Sequence, residues 1–181
     1  HGVKEHLYKN GFRNVDRYMQ TVDGKPFFIK GNDCYVLTGV FEGKELDFEN
    51  RWDAAAAAGL LAEMHRASKG FIPQDGCVVK DELGRLPLLF KKRLRELRRL
   101  RKLAEKRKTE FDILFMEQVD DFCRMSESAI KMLSESDYRK LVKQAGREKT
   151  ICHHNFNHHS IVCSRNQLYL TNFDQCCYEL R

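Results

Sequence analysis

The spacing of the hydrophobic residues changes at Gly43, and this change restricts the fold more than any other feature of the 181-residue chain. Before it, three short apolar runs cover residues 18–22, 26–30 and 34–40. The first two flank Asp23-Gly24, a pair that favours a tight hairpin turn. The spacing therefore predicts a small antiparallel sheet over residues 17–41.

After Gly43 the apolar residues recur at steps of three and four, as on one face of a helix. The predicted helices cover residues 47–68, 88–108, 111–133 and 136–144, and a further helix end is predicted at 3–7, before Asn10-Gly11. A second hairpin is predicted over 160–171, with Arg165-Asn166 as its turn. A sheet followed by helices and a small hairpin is typical of an α+β protein rather than of alternating βαβ units.

The net charge of +6 is concentrated in one segment. Residues 91–108 hold eleven Lys and Arg against two acids, a local charge of +9 that leaves the rest of the chain at −3. Four leucines at steps of three (Leu94, Leu97, Leu100 and Leu103) predict that one face of this helix lies in the core. We interpret the charges as a solvated face, and an acidic partner that docks on 91–108 is the alternative. Nucleic acid is disfavoured because no aromatic side chain interleaves the charges.

The seven cysteines are odd in number and form no Cys-x-x-Cys pair. No signal sequence and no apolar run long enough for a membrane helix occurs. These features favour reduced, mostly buried thiols in a chain made in a cytosol, and no membrane partner. A cross-link between chains through Cys176-Cys177 is the less favoured interpretation.

The segment 152–162 carries the most specific signal, and a short hairpin and residues 170–174 follow it. This pattern resembles the catalytic loop of phosphotransferases of the aminoglycoside and choline kinase type. That loop reads His-Gly-Asp, has an Asn five residues after the Asp, and is followed by two strands and Ile-Asp-Phe. The chemistry requires a carboxylate that orients the acceptor hydroxyl, and an amide and a second carboxylate that hold Mg²⁺ on the ATP phosphates.

More narrowly, the chain resembles the spore coat protein S (CotS-like) family, whose members have this kinase-like fold. The resembling segments are 9–12, 35–43, 61–71, 91–103 and 111–115. The resemblance implies a partial N-lobe over 1–41 and a partial helical C-lobe with a degenerate catalytic loop over 42–181. It also implies a fragment of a longer protein, made in the mother-cell cytoplasm and deposited in the spore coat among other coat proteins.

The departures from the phosphotransferase pattern lie at its functional positions. Asn155, which follows His153, stands where the catalytic Asp is expected, and an amide cannot accept a proton as a general base. Ser160 and Asn172 stand at the two metal-ligand positions, where both side chains are neutral. Asp174, two residues further on, is the alternative metal ligand.

Two further sites are weaker predictions. By the same resemblance, Leu37, Thr38 and Gly39 correspond to the hinge whose backbone would contact adenine. His153, His154, His158 and His159, with Cys152 and Cys163 nearby, permit either a Zn²⁺ or Cu²⁺ site or a remnant of the catalytic loop. We favour the remnant.

These observations predict a structural coat component, a pseudokinase with no resident cofactor. The first alternative is a phosphotransferase that uses ATP and Mg²⁺ on a small molecule or a protein. The second is a module that binds nucleotide or metal without turnover, and ATP and Mg²⁺ are the ligands that residual binding would use.

Overall fold

The computed structural model describes residues 1–181 and is an α+β structure with five helices and eight short strands. The helices are α1 (Gly2–Lys9), α2 (Arg51–Ala67), α3 (Leu86–Arg107), α4 (Glu110–Glu135) and α5 (Tyr138–Glu148). The strands are β1 (Phe28–Lys30), β2 (Asp33–Tyr35), β3 (Lys44–Glu45), β4 (Lys80–Asp81), β5 (Ile151–Cys152), β6 (Ile161–Ser164), β7 (Gln167–Leu170) and β8 (Cys177–Tyr178). No helix has the length and apolar character needed to cross a membrane.

The chain forms two compact units. Residues 1–81 and 145–181 make the first, and residues 82–144 make the second. The first unit contains all of the sequence-predicted site residues. The lobe boundary expected between residues 41 and 42 refers to a complete kinase and stays a prediction.

The core of the first unit is built from residues that are far apart in the sequence. Leu7, Met64, Ile151, Ile161 and Leu170 have no exposed surface. Since these side chains come from α1, α2, β5, β6 and β7, their burial holds the catalytic-loop segment against the helices.

The apolar steps of three and four in this segment fall on Trp52, Ala55, Ala56, Leu60 and Met64, and the buried face of α2 includes only part of this predicted face. Ala57, Leu60, Met64 and Ala67 are buried, whereas Trp52 is 70% exposed and lies under the Arg51 guanidinium. Asn50 caps the helix by accepting a hydrogen bond from the Trp52 backbone N–H, so α2 begins at Arg51, four residues later than predicted.

Two three-stranded sheets frame the catalytic-loop segment. One has the order β3-β6-β7 and the other β4-β8-β5, in which β4 and β8 run parallel. The β6–β7 hairpin confirms the predicted one, because Arg165 and Asn166 both have the positive φ of its turn. Gly43 lies so close to β6 that a Cβ there would stand 2.2 Å from the carbonyl oxygen of Cys163.

The N-terminal sheet is smaller than predicted and has another turn. Asp23-Gly24 does form a turn, but the strands that pair are β1 and β2, around Gly31-Asn32. The run 34–40 continues β2 only as far as Tyr35, and residues 18–19 meet 37–38 in an isolated bridge and one backbone hydrogen bond. The alternating pattern could not settle this, because the side chains of β1 and β2 are all exposed and no buried face selects a register.

The second unit is the antiparallel pair of α3 and α4. Its core contains Leu94, Val119 and Cys123, and Thr109 and Asp112 form a capping box at the start of α4. The predicted leucine stripe is wrong in part, because Leu100 and Leu103 are 42% and 41% exposed. A step of three residues turns by about 300° on a helix, so successive leucines move around it and Leu103 lies opposite Leu94.

The predicted apolar face of α4 is also largely exposed. Phe111, Leu114, Phe122, Met125 and Met132 are all more than half exposed. The buried residues of α4 are Asp112, Val119 and Cys123. Phe115, Met116 and Ile130 pack against the core that Val119 and Cys123 form with Leu94 of α3. Most of the predicted apolar face is therefore exposed, and a neighbouring apolar face of α4 meets α3.

Candidate functional site

His153 is a buried side chain of the catalytic-loop segment, with 1% of its surface exposed. Its Nδ1 accepts a hydrogen bond from the Asn155 backbone N–H, so its Nε2–H donates to the Thr171 carbonyl at 2.8 Å. The ring packs edge-on against Phe173, 4.7 Å between centroids. Burial lowers the pKa of His153, which keeps the imidazole neutral. His153 therefore positions the backbone of the loop.

A hydrogen bond between Ser160 and Asn155 joins the two ends of the catalytic loop. The Ser160 hydroxyl donates to the Asn155 carbonyl at 2.5 Å, and the Asn155 side-chain oxygen accepts from the Asn157 amide at 2.9 Å. Ser160 has no exposed surface. Both predicted site residues are thus brought together, and the Ser160 hydroxyl proton is engaged by the backbone.

Asn172 and Asp174 lie just beyond β7, on the short 3-10 helix Phe173–Gln175. The Thr171 N–H donates to the Ser160 carbonyl at 2.9 Å, so the strand pairing carries Asn172 close to the loop. Asn172 has φ 64° and ψ 53°, the left-handed conformation that Asn tolerates better than most residues. Both side chains are exposed, and Asp174 carries the only carboxylate among the predicted catalytic and metal positions.

The predicted hinge makes its contacts with another segment. The Leu37 carbonyl accepts a hydrogen bond from the Met19 N–H at 2.8 Å, and Thr38 bridges Tyr18. Leu37 is 63% exposed. The role of residues 37–39 in adenine binding stays a prediction.

The four histidines of the segment do not form one cluster. His153 is buried under the loop, while His154 lies 3.5 Å from the Glu179 carboxylate. The His158 and His159 rings lie 3.9 Å apart between centroids and are tilted by 43° to each other, and the His159 Nδ1 meets a Glu45 carboxylate oxygen at 3.0 Å. This hydrogen bond is the main cause that lowers the pKa of Glu45.

The neighbouring Cys152 thiol is a poor metal ligand. Burial is the main cause that raises the pKa of Cys152 to about 11, and its thiol points to the carbonyls of Glu179 and Leu180. A thiol with such a pKa is protonated at neutral pH, and the thiolate is the form that binds metal. The single His and Cys cluster considered from the sequence is therefore divided among separate environments.

A buried ion pair beside the loop was missed by the sequence interpretation. Lys4 is 4% exposed, and its Nζ lies 2.9 Å from an Asp16 carboxylate oxygen. The same ammonium group stands over the Tyr18 ring at 4.3 Å and the Phe173 ring at 5.7 Å. No spacing signal could have found it, because in the sequence a lysine in a short helix and an aspartate twelve residues later look like ordinary surface charges.

The chemistry open to this arrangement follows from its donor atoms. Asn155, Ser160 and Asn172 supply neutral oxygens, and the Ser160 hydroxyl is directed at a backbone carbonyl. Mg²⁺ sites that hold nucleotide phosphates rely on carboxylates. The residues at the three positions are a poor fit to Mg²⁺–ATP of the phosphotransferase type, so no transfer step is derived through them.

A family model described as "Spore coat putative kinase YutH" matches residues 1–175. The chain belongs to this family. Among curated proteins, it is similar to spore coat protein S of Bacillus subtilis (strain 168), with 21% identity over 176 residues. That match covers 97% of this chain and 50% of the relative, so the chain spans about half of the relative's length.

Solved structures of phosphotransferases share the fold of this family member. An aminoglycoside phosphotransferase from Alicyclobacillus acidocaldarius superposes with a TM-score of 0.80 at 22% identity, over 97% of this chain and 52% of that one. A spectinomycin phosphotransferase solved with ADP and spectinomycin gives a TM-score of 0.63 at 12% identity, over 98% of this chain and 53% of that one. The kinase-like α+β fold and the spore coat family predicted from the sequence are confirmed.

Proposed function

We propose that this protein is a structural component of the endospore coat, a pseudokinase that acts through contacts with other coat proteins and does not transfer phosphate. The observation that carries the proposal is the residue set Asn155, Ser160 and Asn172 at the three positions where phosphoryl transfer requires a base and metal ligands. None of these side chains can carry a negative charge at neutral pH.

The hydrogen bonding of the loop supports the same conclusion. Ser160 is buried and donates to the Asn155 carbonyl, so the former metal position now stabilises the loop itself. His153 remains buried in its structural role. The hydrogen bonds of Ser160 and His153 thus keep the loop folded without a bound metal ion. This supports a protein that has kept the kinase-like fold and uses it for contacts with other proteins.

The setting of the proposal follows from the family. A coat component of this kind would be made in the mother-cell cytoplasm and deposited on the spore surface. The basic segment 91–108 offers one docking surface for an acidic partner, because most of its cations are exposed. Several of them already pair within the unit, as Arg98 does with Glu127, which reduces the charge open to a partner.

Thermal unfolding of the intact protein with ATP and MgCl₂ tests the absence of nucleotide chemistry. A nucleotide that binds the folded protein would raise its Tm. We expect no change in Tm, and no transfer of the ATP γ-phosphate to added acceptors or to the protein. Phosphate transfer that disappears in Asp174→Asn would establish the alternative, an active phosphotransferase with a displaced metal ligand.

A genetic test in spores addresses the structural role directly. A strain that carries Asp174→Asn should assemble a coat with the normal protein composition, whereas a strain without the protein should lack coat proteins that depend on it. A defect in Asp174→Asn spores equal to that of the deletion would contradict the proposal. Asp174 is exposed, so the isosteric amide leaves the fold intact.

A further inference from the structure

Glu45, His158 and His159 are side chains of types that can bind metal ions, and they lie close together outside the predicted catalytic positions. Glu45 lies on β3, and His158 and His159 lie on the 3-10 helix that leads directly into β6. Because β3 pairs with β6, with Glu45 opposite Val162, the sheet brings the carboxylate to the two imidazoles. One ligand atom from each residue lies within 4.8 Å of the other two.

We propose that Glu45, His158 and His159 form a binding site for a divalent transition metal ion, with Zn²⁺ as its occupant. Two imidazole nitrogens and one carboxylate oxygen are borderline donors, and three such ligands with a water in the fourth position satisfy a tetrahedral ion. Ligand atoms around tetrahedral Zn²⁺ are about 3.3 Å apart. The His159 Nδ1 to Glu45 Oε1 distance of 3.0 Å is already near this value.

The backbone beneath the site is held in place while the ligands stay accessible. The Asn157 side chain accepts from the His159 N–H at 3.0 Å, and the next residue, Ser160, is fully buried. Phe48 packs edge-on against the His158 ring at 6.1 Å between centroids. The His159 and Glu45 side chains are 67% and 55% exposed, so an ion can enter from solvent and small side-chain rotations can complete its coordination.

A second group of possible metal ligands is less suitable for an ion than the proposed site. His154, Cys177 and Glu179 also lie within 4.8 Å of one another. Cys177, however, is 2% exposed and sits on the central strand of the β4-β8-β5 sheet, so an ion there would have to reach a sulfur in the core. The exposed trio has no such barrier. This proposal does not depend on the coat role, because none of its residues belongs to the phosphotransferase positions.

Calorimetric titration of the metal-free protein with ZnCl₂ tests the site. We expect one saturable Zn²⁺ ion per chain. Each of Glu45→Gln, His158→Ala and His159→Ala should weaken its binding by about 10-fold to 100-fold, because each removes one of three protein ligands. His154→Ala, the matched control on the same segment, should leave binding unchanged. Equal melting curves of the metal-free variants would show that the losses arise from the ligands.

Several results would overturn the proposal. These are the absence of saturable Zn²⁺ binding, or its loss in His154→Ala with retention in His158→Ala and His159→Ala. Co²⁺ supplies an independent readout, because a cysteine ligand produces a thiolate charge-transfer band in the near ultraviolet. The proposed site should give a tetrahedral Co²⁺ spectrum in the visible without that band, and its appearance would assign the ion to Cys177 instead.

Discussion

The Ser160 hydroxyl donates a hydrogen bond to the backbone carbonyl of Asn155 at 2.5 Å. In a phosphotransferase of this fold, the two positions would hold a metal ligand and the base. Here they contact each other, and the contact closes the loop between them. The Ser160 side chain therefore stabilises the backbone of this loop.

Ser160→Ala should lower the free energy of unfolding by about 1–2 kcal/mol, because it removes a buried hydrogen bond and leaves the Asn155 carbonyl with only a long contact from Asn157. Urea denaturation would measure the loss. Ser134→Ala is the matched control, since that hydroxyl also donates to a backbone carbonyl but on an exposed helix surface. A control loss as large as that of Ser160→Ala would contradict the structural role.

Lys4→Met should destabilise the protein by about 1.5–3 kcal/mol, because it removes a charge-assisted hydrogen bond to the Asp16 carboxylate, whose side chain is 13% exposed. The other carboxylate oxygen, Oδ1, has no hydrogen-bond partner. The exposed Lys9→Met is the control and should change stability by less than about 0.5 kcal/mol. Adding Asp16→Leu to Lys4→Met should recover part of the loss, and further destabilisation would argue against an uncompensated charge as its cause.

His153 should make the folded state less stable as the pH falls below about 6.5. Burial holds its folded pKa below the ordinary histidine value, so in that window the unfolded chain binds a proton that the folded one does not. The loss should level off below the folded pKa. Urea midpoints between pH 8 and pH 5 would measure the slope, and His153→Gln should reduce it. The slope that remains would include His65, whose pKa burial also lowers. An unchanged slope in His153→Gln would refute this assignment.

Gly43→Ala should destabilise the first unit by about 1–3 kcal/mol, because the added methyl group would meet the backbone of β6, which cannot move aside. It should also displace β3 and so weaken Zn²⁺ binding through Glu45. Gly39→Ala is the matched control, since a Cβ there meets nothing within 4 Å. Thermal unfolding would compare the two variants, and equal Tm values would contradict the close approach.

Leu94→Ala should cost about 2–4 kcal/mol in stability, because Leu94 is buried between α3 and α4. Leu103→Ala should cost less than about 1 kcal/mol, because that leucine is 41% exposed on the opposite side of the same helix. Denaturant titrations of both variants would measure the difference. Similar losses of stability in the two variants would support the buried leucine stripe predicted from the sequence and contradict the exposure of Leu103.

The local pattern predicted most elements of the fold, since helix caps and turn residues act over a few positions. Asn10-Gly11 ends α1, and Arg165-Asn166 turns the β6–β7 hairpin, both as expected from residues that accept the required backbone angles. The order of strands and helices indicated an α+β fold, and the residues of the catalytic-loop segment indicated its family.

The predictions failed where burial had to be assigned among several apolar faces. Leu100 and Phe122 are apolar residues on the same two helices as Leu94 and Val119, yet only Leu94 and Val119 are buried. In the N-terminal sheet the paired strands flank Gly31-Asn32, and Asp23-Gly24 forms a turn outside them, because these strands have no buried side to select a register. Which apolar face is buried depends on which surfaces pack against each other, and the local spacing of apolar residues does not specify this.

The sequence by itself determined the family and the neutral character of the side chains of Asn155, Ser160 and Asn172, because residue identity alone decides which side chains can ionise. Only the tertiary structure decided what those residues contact. It paired Lys4 with Asp16 in the interior and joined Glu45 to His158 and His159 through the β3–β6 register. Groups so distant along the chain become neighbours only when the sheet and core close, which is why no local pattern could have predicted them.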